Sequence, residues 1–213
     1  MQLLPSALSL AGALTLGIWI GQAPGQDTKP ARPVAKAQEG APAMPDMAAI
    51  MEAMTRAGTP GEGHAALKAF EGNWKASVTM LMGPEAPPMV MEGAMNSSWI
   101  LDGRFLEQRF SGDFMGQPFQ GTSLYGYDNA AGRYVSLWID NVSTHMSTST
   151  GELSADGKVF TMNGTKTDPM TGKPAQTIEQ ITMNGPDQHT LVAWDLHDGQ
   201  RIKTMEIVYT RAR

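Results

Sequence analysis

The chain has 213 residues, with Asp+Glu 21 against Lys+Arg 16, a formal net charge of -5 and no cysteine. A mildly acidic chain without a run of Lys or Arg has no footprint for nucleic acid or for an anionic membrane surface. The missing cysteines exclude disulfides, thiolate metal sites, cysteine nucleophiles and acylation of an N-terminal Cys.

Residues 3–23, "LLPSALSLAGALTLGIWIGQA", precede the first charged residue, Asp27. The run is apolar, broken by Pro5, and ends in small residues at Ala23. It reads as a signal peptide over 1–23 or, if uncut, as an N-terminal anchor that tethers the protein to a membrane. Either reading makes the protein exported, periplasmic or secreted. Residues 24–45, "PGQDTKPARPVAKAQEGAPAMP", hold Pro, Ala, Gly and charge but no aromatic. Such a segment buries too little apolar surface to offset chain entropy, and the expectation is a disordered linker.

A helix is predicted over 46–58, "DMAAIMEAMTRAG", with Asp46 as N-cap and Gly58 as stop. Met44, Met47, Met51 and Met54 recur at helical spacing with Ile50 beside them. This is an amphipathic face for docking on the main domain or on a partner. Thioether ligation of Cu(I) is the sharper alternative. A second, short helix is predicted in "EGHAALKAF" (residues 62–70), with Ala66, Leu67, Ala69 and Phe70 as its apolar positions.

From there turn signals alternate with strand-like runs. The turns include "GPEAPP", "LDG", "FMGQ", "DNAAG", "SADG", "DPMTGKP", "NGPDQ" and "HDGQ". Each carries residues that supply positive φ, preset φ or bond locally to the backbone. The runs between them include "NWKASVTMLM", "RYVSLWID", "HTLVAWDL" and "RIKTMEIVYT", and no helical pattern separates any two. Tight turns make consecutive strands antiparallel, and closure removes the two exposed edges of so long a meander. The predicted fold is therefore all-β: an antiparallel up-and-down barrel of about ten strands over residues 62–213, with a short helix before the first strand. A barrel of this size encloses more space than a few side chains fill, and a small-molecule cavity is expected inside.

The residues put forward for such a cavity carry apolar bodies with polar tips or buried charge. They are Trp99, Arg109 with Glu107, Tyr125, Trp138, Asp140 and His145. Met80 and Met82, facing Met89 and Met91 across the "GPEAPP" turn, offer an adaptable apolar wall. In "RYVSLWID" one face reads Val135, Leu137 and Ile139, the other Tyr134, Ser136, Trp138 and Asp140. Pattern alone leaves open which face points inward, because a one-residue slip exchanges them.

No clear catalytic or metal motif appears. The four histidines, His64, His145, His189 and His197, show no helical ligand spacing, so no metal site is read. Neither a Gly-x-Ser-x-Gly elbow nor a Gly-rich phosphate loop is present. Asp140 and His145, across the "DNVST" corner, form a candidate general-base pair if the fold brings them together. His189, Asp195 and His197 are a second cluster.

"FEGNW" (residues 70–74), preceded by a short helix, and "YTRAR" closing the last strand resemble the calycin pattern of lipocalins and fatty-acid-binding proteins. The resemblance implies that Gly72 and Trp74 sit at the barrel floor and that Arg211 or Arg213 stacks on the indole, as cation on π system. Over residues 64–213, "HAALKAFEGNW", "LDGRFLEQRFSGDFMGQPFQGTSLYGYDNAAGRYVSLWIDNVST" and "GELSADGKVF" resemble the bacterial family catalogued as domain of unknown function 1579. That resemblance implies a calycin-like barrel and transfers no catalytic residue. Nitrobindins, another calycin-like group, close such a barrel around haem with a C-terminal histidine, which gives His189 and His197 an alternative role. The leading expectation is a non-catalytic binder of a small apolar or amphipathic molecule, without cofactor. The alternatives are an enzyme using His145 and Asp140, or an envelope interaction protein with a filled barrel.

Overall fold

The computed structural model describes residues 46–83 and 86–213. The expected signal or anchor, the linker and Met44 lie outside the described residues. The chain opens with helix α1 (Met47–Gly58), helix α2 (Glu62–Leu67) and a 3-10 turn (Lys68–Phe70). Ten strands follow: β1 (Gly72–Met80), β2 (Met89–Ile100), β3 (Phe105–Phe114), β4 (Gln117–Asp128), β5 (Arg133–Asp140), β6 (Ser147–Leu153), β7 (Val159–Thr167), β8 (Pro174–Gly185), β9 (Gln188–His197) and β10 (Gln200–Arg211). Each strand pairs antiparallel with its chain neighbours, and β1 pairs with β10 to close the barrel. All ten predicted runs are strands, because the turn between each pair is encoded in a few consecutive residues.

The two ends of the barrel differ. At one end α2 and the 3-10 turn plug the opening, burying Leu67 and Phe70 among Leu106, Tyr125, Tyr134, Phe160, Met162 and Ile181. A second cluster, Trp74, Ala76, Val78, Met95, Phe110, Ile207 and Tyr209, fills one side of the interior above that plug. At the other end the turns 115–116, 141–146, 168–173 and 198–199, with residues 81–83 and 86–88 between β1 and β2, surround an open mouth.

Arg211 and Gly72 close the plugged end. The Arg211 guanidinium lies 4.1 Å from the centre of the Trp74 ring. It donates to the carbonyls of Ala69, Glu71 and Pro186 and pairs with Asp187 at 3.3 Å. The indole Nε1 donates to the Phe70 carbonyl at 2.9 Å. Gly72 has φ +112, and a Cβ there would come within 2.9 Å of Arg211 Nη1. The positive φ demands glycine, and the absent side chain leaves the guanidinium its place.

Helix α1 does not dock by its methionines, which corrects the expectation of packing on the main domain. None of its residues is buried, and Met47, Met51 and Met54 are exposed. It is held at its C-terminal end instead. Asn129 Nδ2, in the β4–β5 turn, donates to the carbonyls of Arg56, Ala57 and Thr59. These are carbonyls that a helix end leaves without intrahelical partners.

Candidate functional site

Above the plug the interior opens into a cavity of about 410 Å³ that reaches the mouth. Its lining comes from alternate residues of nearly every strand, as the period of two requires. One wall is apolar: Val78, Met80, Met91, Met95, Phe110, Phe119, Trp138, Met205 and Ile207. The facing wall, built largely by β6 to β9, is polar: Ser149, Lys166, Thr177, Glu179 and Asp195 among others. The cavity is two-faced.

Register decides which half of each strand enters. On β5 the inward residues are Tyr134, Ser136, Trp138 and Asp140, while Val135, Leu137 and Ile139 point outward. Trp138 lies flat because its neighbour across the pair is small. Ser123 stands opposite it, and a Cβ on Gly121 would meet the indole at 2.3 Å. The Trp138 Nε1 then donates to Asp140 Oδ2 at 2.9 Å. Asp140 Oδ1 accepts from the backbone N–H of Val142 and of Ser143. Burial alone would push this carboxyl up, but the donors from Trp138, Ser143 and Val142 outweigh it and hold the carboxyl below its ordinary value. Asp140 thus secures the corner at 140–143.

Of the residues put forward from sequence, Tyr125, Trp138, Asp140 and His145 line the cavity. Arg109 does not, and that expectation is corrected. It lies on the outward side of β3, where its Nε donates to Glu107 Oε2 at 2.9 Å on the barrel exterior. The reason is parity: Leu106, Gln108 and Phe110 are the inward residues of β3. Trp99 points inward but packs against the plugged-end core instead of the cavity. Of the grouped methionines, Met80 and Met91 enter the cavity, joined by Met95 and Met205, while Met82 is exposed beyond the end of β1.

Asp140 and His145 both border the mouth, but the orienting hydrogen bond of a base pair is not made. The acceptors of Asp140 are engaged as described, and His145 Nε2 is bonded to Ser147 Oγ at 3.3 Å. His189 and His197 are also apart. His197 is exposed at the tip of the β9–β10 hairpin. His189 is 4 % exposed, stacked on Tyr209 at 4.6 Å and set edge-on to Trp74 at 4.4 Å and Phe70 at 5.1 Å. Burial, and then the nearby Arg211 charge, lower its pKa to about 3, and its Nδ1 has no hydrogen-bond partner. Among the described residues no group of three or more His, Cys, Asp or Glu is arranged to hold a metal ion.

Sequence reasoning missed Glu179, Lys166 and the polar wall around them. Lys166 Nζ lies 2.8 Å from Asp195 Oδ1. Glu179 sits deeper, and burial raises its carboxyl pKa against the opposing pull of Lys166. Burial and the charge of Glu179 together raise the phenols of Tyr125 and Tyr209. The available signal was a lone charged residue at an inward position of a strand, in "AQTIEQITM", and the period of two cannot say which positions are inward.

Comparison with solved structures agrees with the barrel. Rv2717c from M. tuberculosis matches with TM-score 0.53 at 15% identity, covering 73% of this chain and 100% of that one. At this identity the likeness is one of fold. The S-type phycobiliprotein lyase CPES from Guillardia theta is a weaker match, with TM-score 0.47 at 12% identity over 72% of this chain and 99% of that one. No curated protein matches the sequence. Residues 59–211, which are the two-faced barrel with its helical plug, match the family model "Protein of unknown function (DUF1579)", and the chain belongs to that family.

Proposed function

We propose that this protein is a non-catalytic binding module that holds a small amphipathic molecule inside its barrel. The observation that carries the reading is the cavity of about 410 Å³, within the size range of small-molecule sites, with one Met–aromatic wall and one polar wall. Thioethers and aromatic rings adapt to irregular apolar shapes, while the fixed polar groups orient a ligand. The rim supports entry of an apolar molecule, since Met115, Val142, Met146 and Met170 are exposed on the mouth turns. A binding role, as against a catalytic one, is supported by Asp140, whose acceptors serve Trp138 and the corner backbone. The apolar run over residues 3–23 supports export, with an uncut run acting as a membrane tether; mass analysis of the mature N-terminus tests this part separately.

The test of the binding reading is native mass spectrometry of the protein purified gently from its own cells, with an absorption spectrum of the same sample. It is paired with titration of a neutral amphipathic fluorophore. A discrete added mass, or saturable fluorophore binding lost in Ser123→Phe, is expected, because a ring at Ser123 fills the space beside Trp138. A bare protein that binds no fluorophore, or binding unchanged by Ser123→Phe, overturns the reading.

A further inference from the structure

The polar wall carries an imbalance of charge that points to the chemistry of the ligand's buried end; this deepens the binding reading and rests on it. Three carboxylates face the cavity: Asp140, Asp195 and Glu179. Asp140 is satisfied by one indole and two backbone donors. Asp195 is satisfied by Lys166. Glu179, on β8 beside Ala193 of β9 and Met162 of β7, receives a hydrogen bond from no described residue. The other basic group on the lining is His145, which is at the mouth and bonded to Ser147. The cavity therefore holds one carboxylate more than its own cations and donors serve.

A half-buried carboxylate that faces the cavity without a donor from the protein is served best by a partner that supplies both N–H donors and positive charge. The small Ala193 side chain leaves room beside it, and the phenols of Tyr125 and Tyr209 lie near enough to feel its charge. Across the cavity, Met80, Met91, Met95, Phe110, Phe119 and Trp138 offer the apolar body its contact.

We propose that the cavity takes an amphipathic amine, its apolar body along the Met–aromatic wall and its protonated nitrogen on the Glu179 carboxylate. The test compares three ligands of one chain length, decylamine, 1-decanol and decanoic acid. Binding to the full chain at pH 7 is followed by calorimetry and by the fluorescence of the lining Trp138. The amine is expected to bind at least about tenfold more tightly than the alcohol and the acid, the scale of one hydrogen bond to a charged group. Glu179→Gln, nearly isosteric, is expected to bring the amine to the level of the alcohol and leave the alcohol unchanged. An amine that binds no better than the alcohol or the acid overturns the proposal, and this wild-type ranking needs no variant. A preference for the amine that survives in a folded Glu179→Gln protein also overturns it. If the alcohol or acid binds while the amine preference fails, the cavity stands as a binding site and only the assignment to Glu179 falls. If none of the three binds, both fall together.

Discussion

Arg211 binds several partners at the plugged end at once, and each would be left behind without it. Its guanidinium covers the Trp74 ring and satisfies the carbonyls of Ala69, Glu71 and Pro186. Arg211→Ala is expected to cost roughly 2–4 kcal/mol in urea unfolding, since it removes the stack and strands acceptors at once. Arg211→Lys should recover less than half, because an ammonium cannot reproduce a planar fork. His189 makes a prediction of opposite character. Its pKa is depressed to about 3 in the folded chain, so the unfolded chain binds the proton first as pH falls. Stability from this group is present above the ordinary histidine pKa near 6.5 and is lost progressively between there and about pH 3. His189→Phe, which keeps the stack on Tyr209 without a titratable ring, should flatten the loss of stability between pH 7 and 4.5. An unchanged slope in denaturant titrations at the two pH values would remove His189 from the account.

At the scale of elements, α1 and β5 behave differently from what their residue patterns suggest. Helix α1 has the apolar spacing of a docking helix, yet it buries nothing and hangs from Asn129. A chain beginning at Thr59 should therefore melt within about 2 °C of the full protein, whereas a docked helix would cost several times more. Calorimetry on the two chains decides this. Strand β5 turns its polar face, Ser136 and Asp140, inward and its aliphatic face outward. The corner at 140–143 and the small partners Gly121 and Ser123 hold Trp138 flat in that arrangement. Gly121→Ala should push the indole into the cavity, at a cost of roughly 1–3 kcal/mol for overpacking. It should also shift the tryptophan emission and weaken fluorophore binding.

For the whole molecule, closure between β1 and β10 joins Trp74 to Arg211 and Met80 to Met205 and leaves no free strand edge. Hydrogen exchange should then find the β1 and β10 amides as slow as those of the central strands, since they open only with global unfolding. Fast exchange along one face of β1 would mean an open sheet. The number of strands, their order and the short helix before them were legible in the chain. Turns such as "DNAAG", "SADG" and "HDGQ" act through neighbouring residues, and tight turns leave consecutive strands no choice but to pair. The Gly72–Trp74–Arg211 group was legible through its resemblance to a known pattern. What tertiary structure alone decided was parity and proximity. Arg109 lies outside and Glu179 inside because the pleat alternates and closure selects one face. No local signal distinguishes Glu107 and Arg109 on β3 from Gln108 between them, yet only Gln108 lines the cavity. Likewise Asp140 and His145 arrive at one mouth without bonding, because the backbone of their own corner reaches the carboxylate first. The sequence by itself determined the barrel, through interactions a few residues in range. The cavity's two walls and its unpartnered carboxylate depend on the registers of ten strands at once, which only the closed structure resolves.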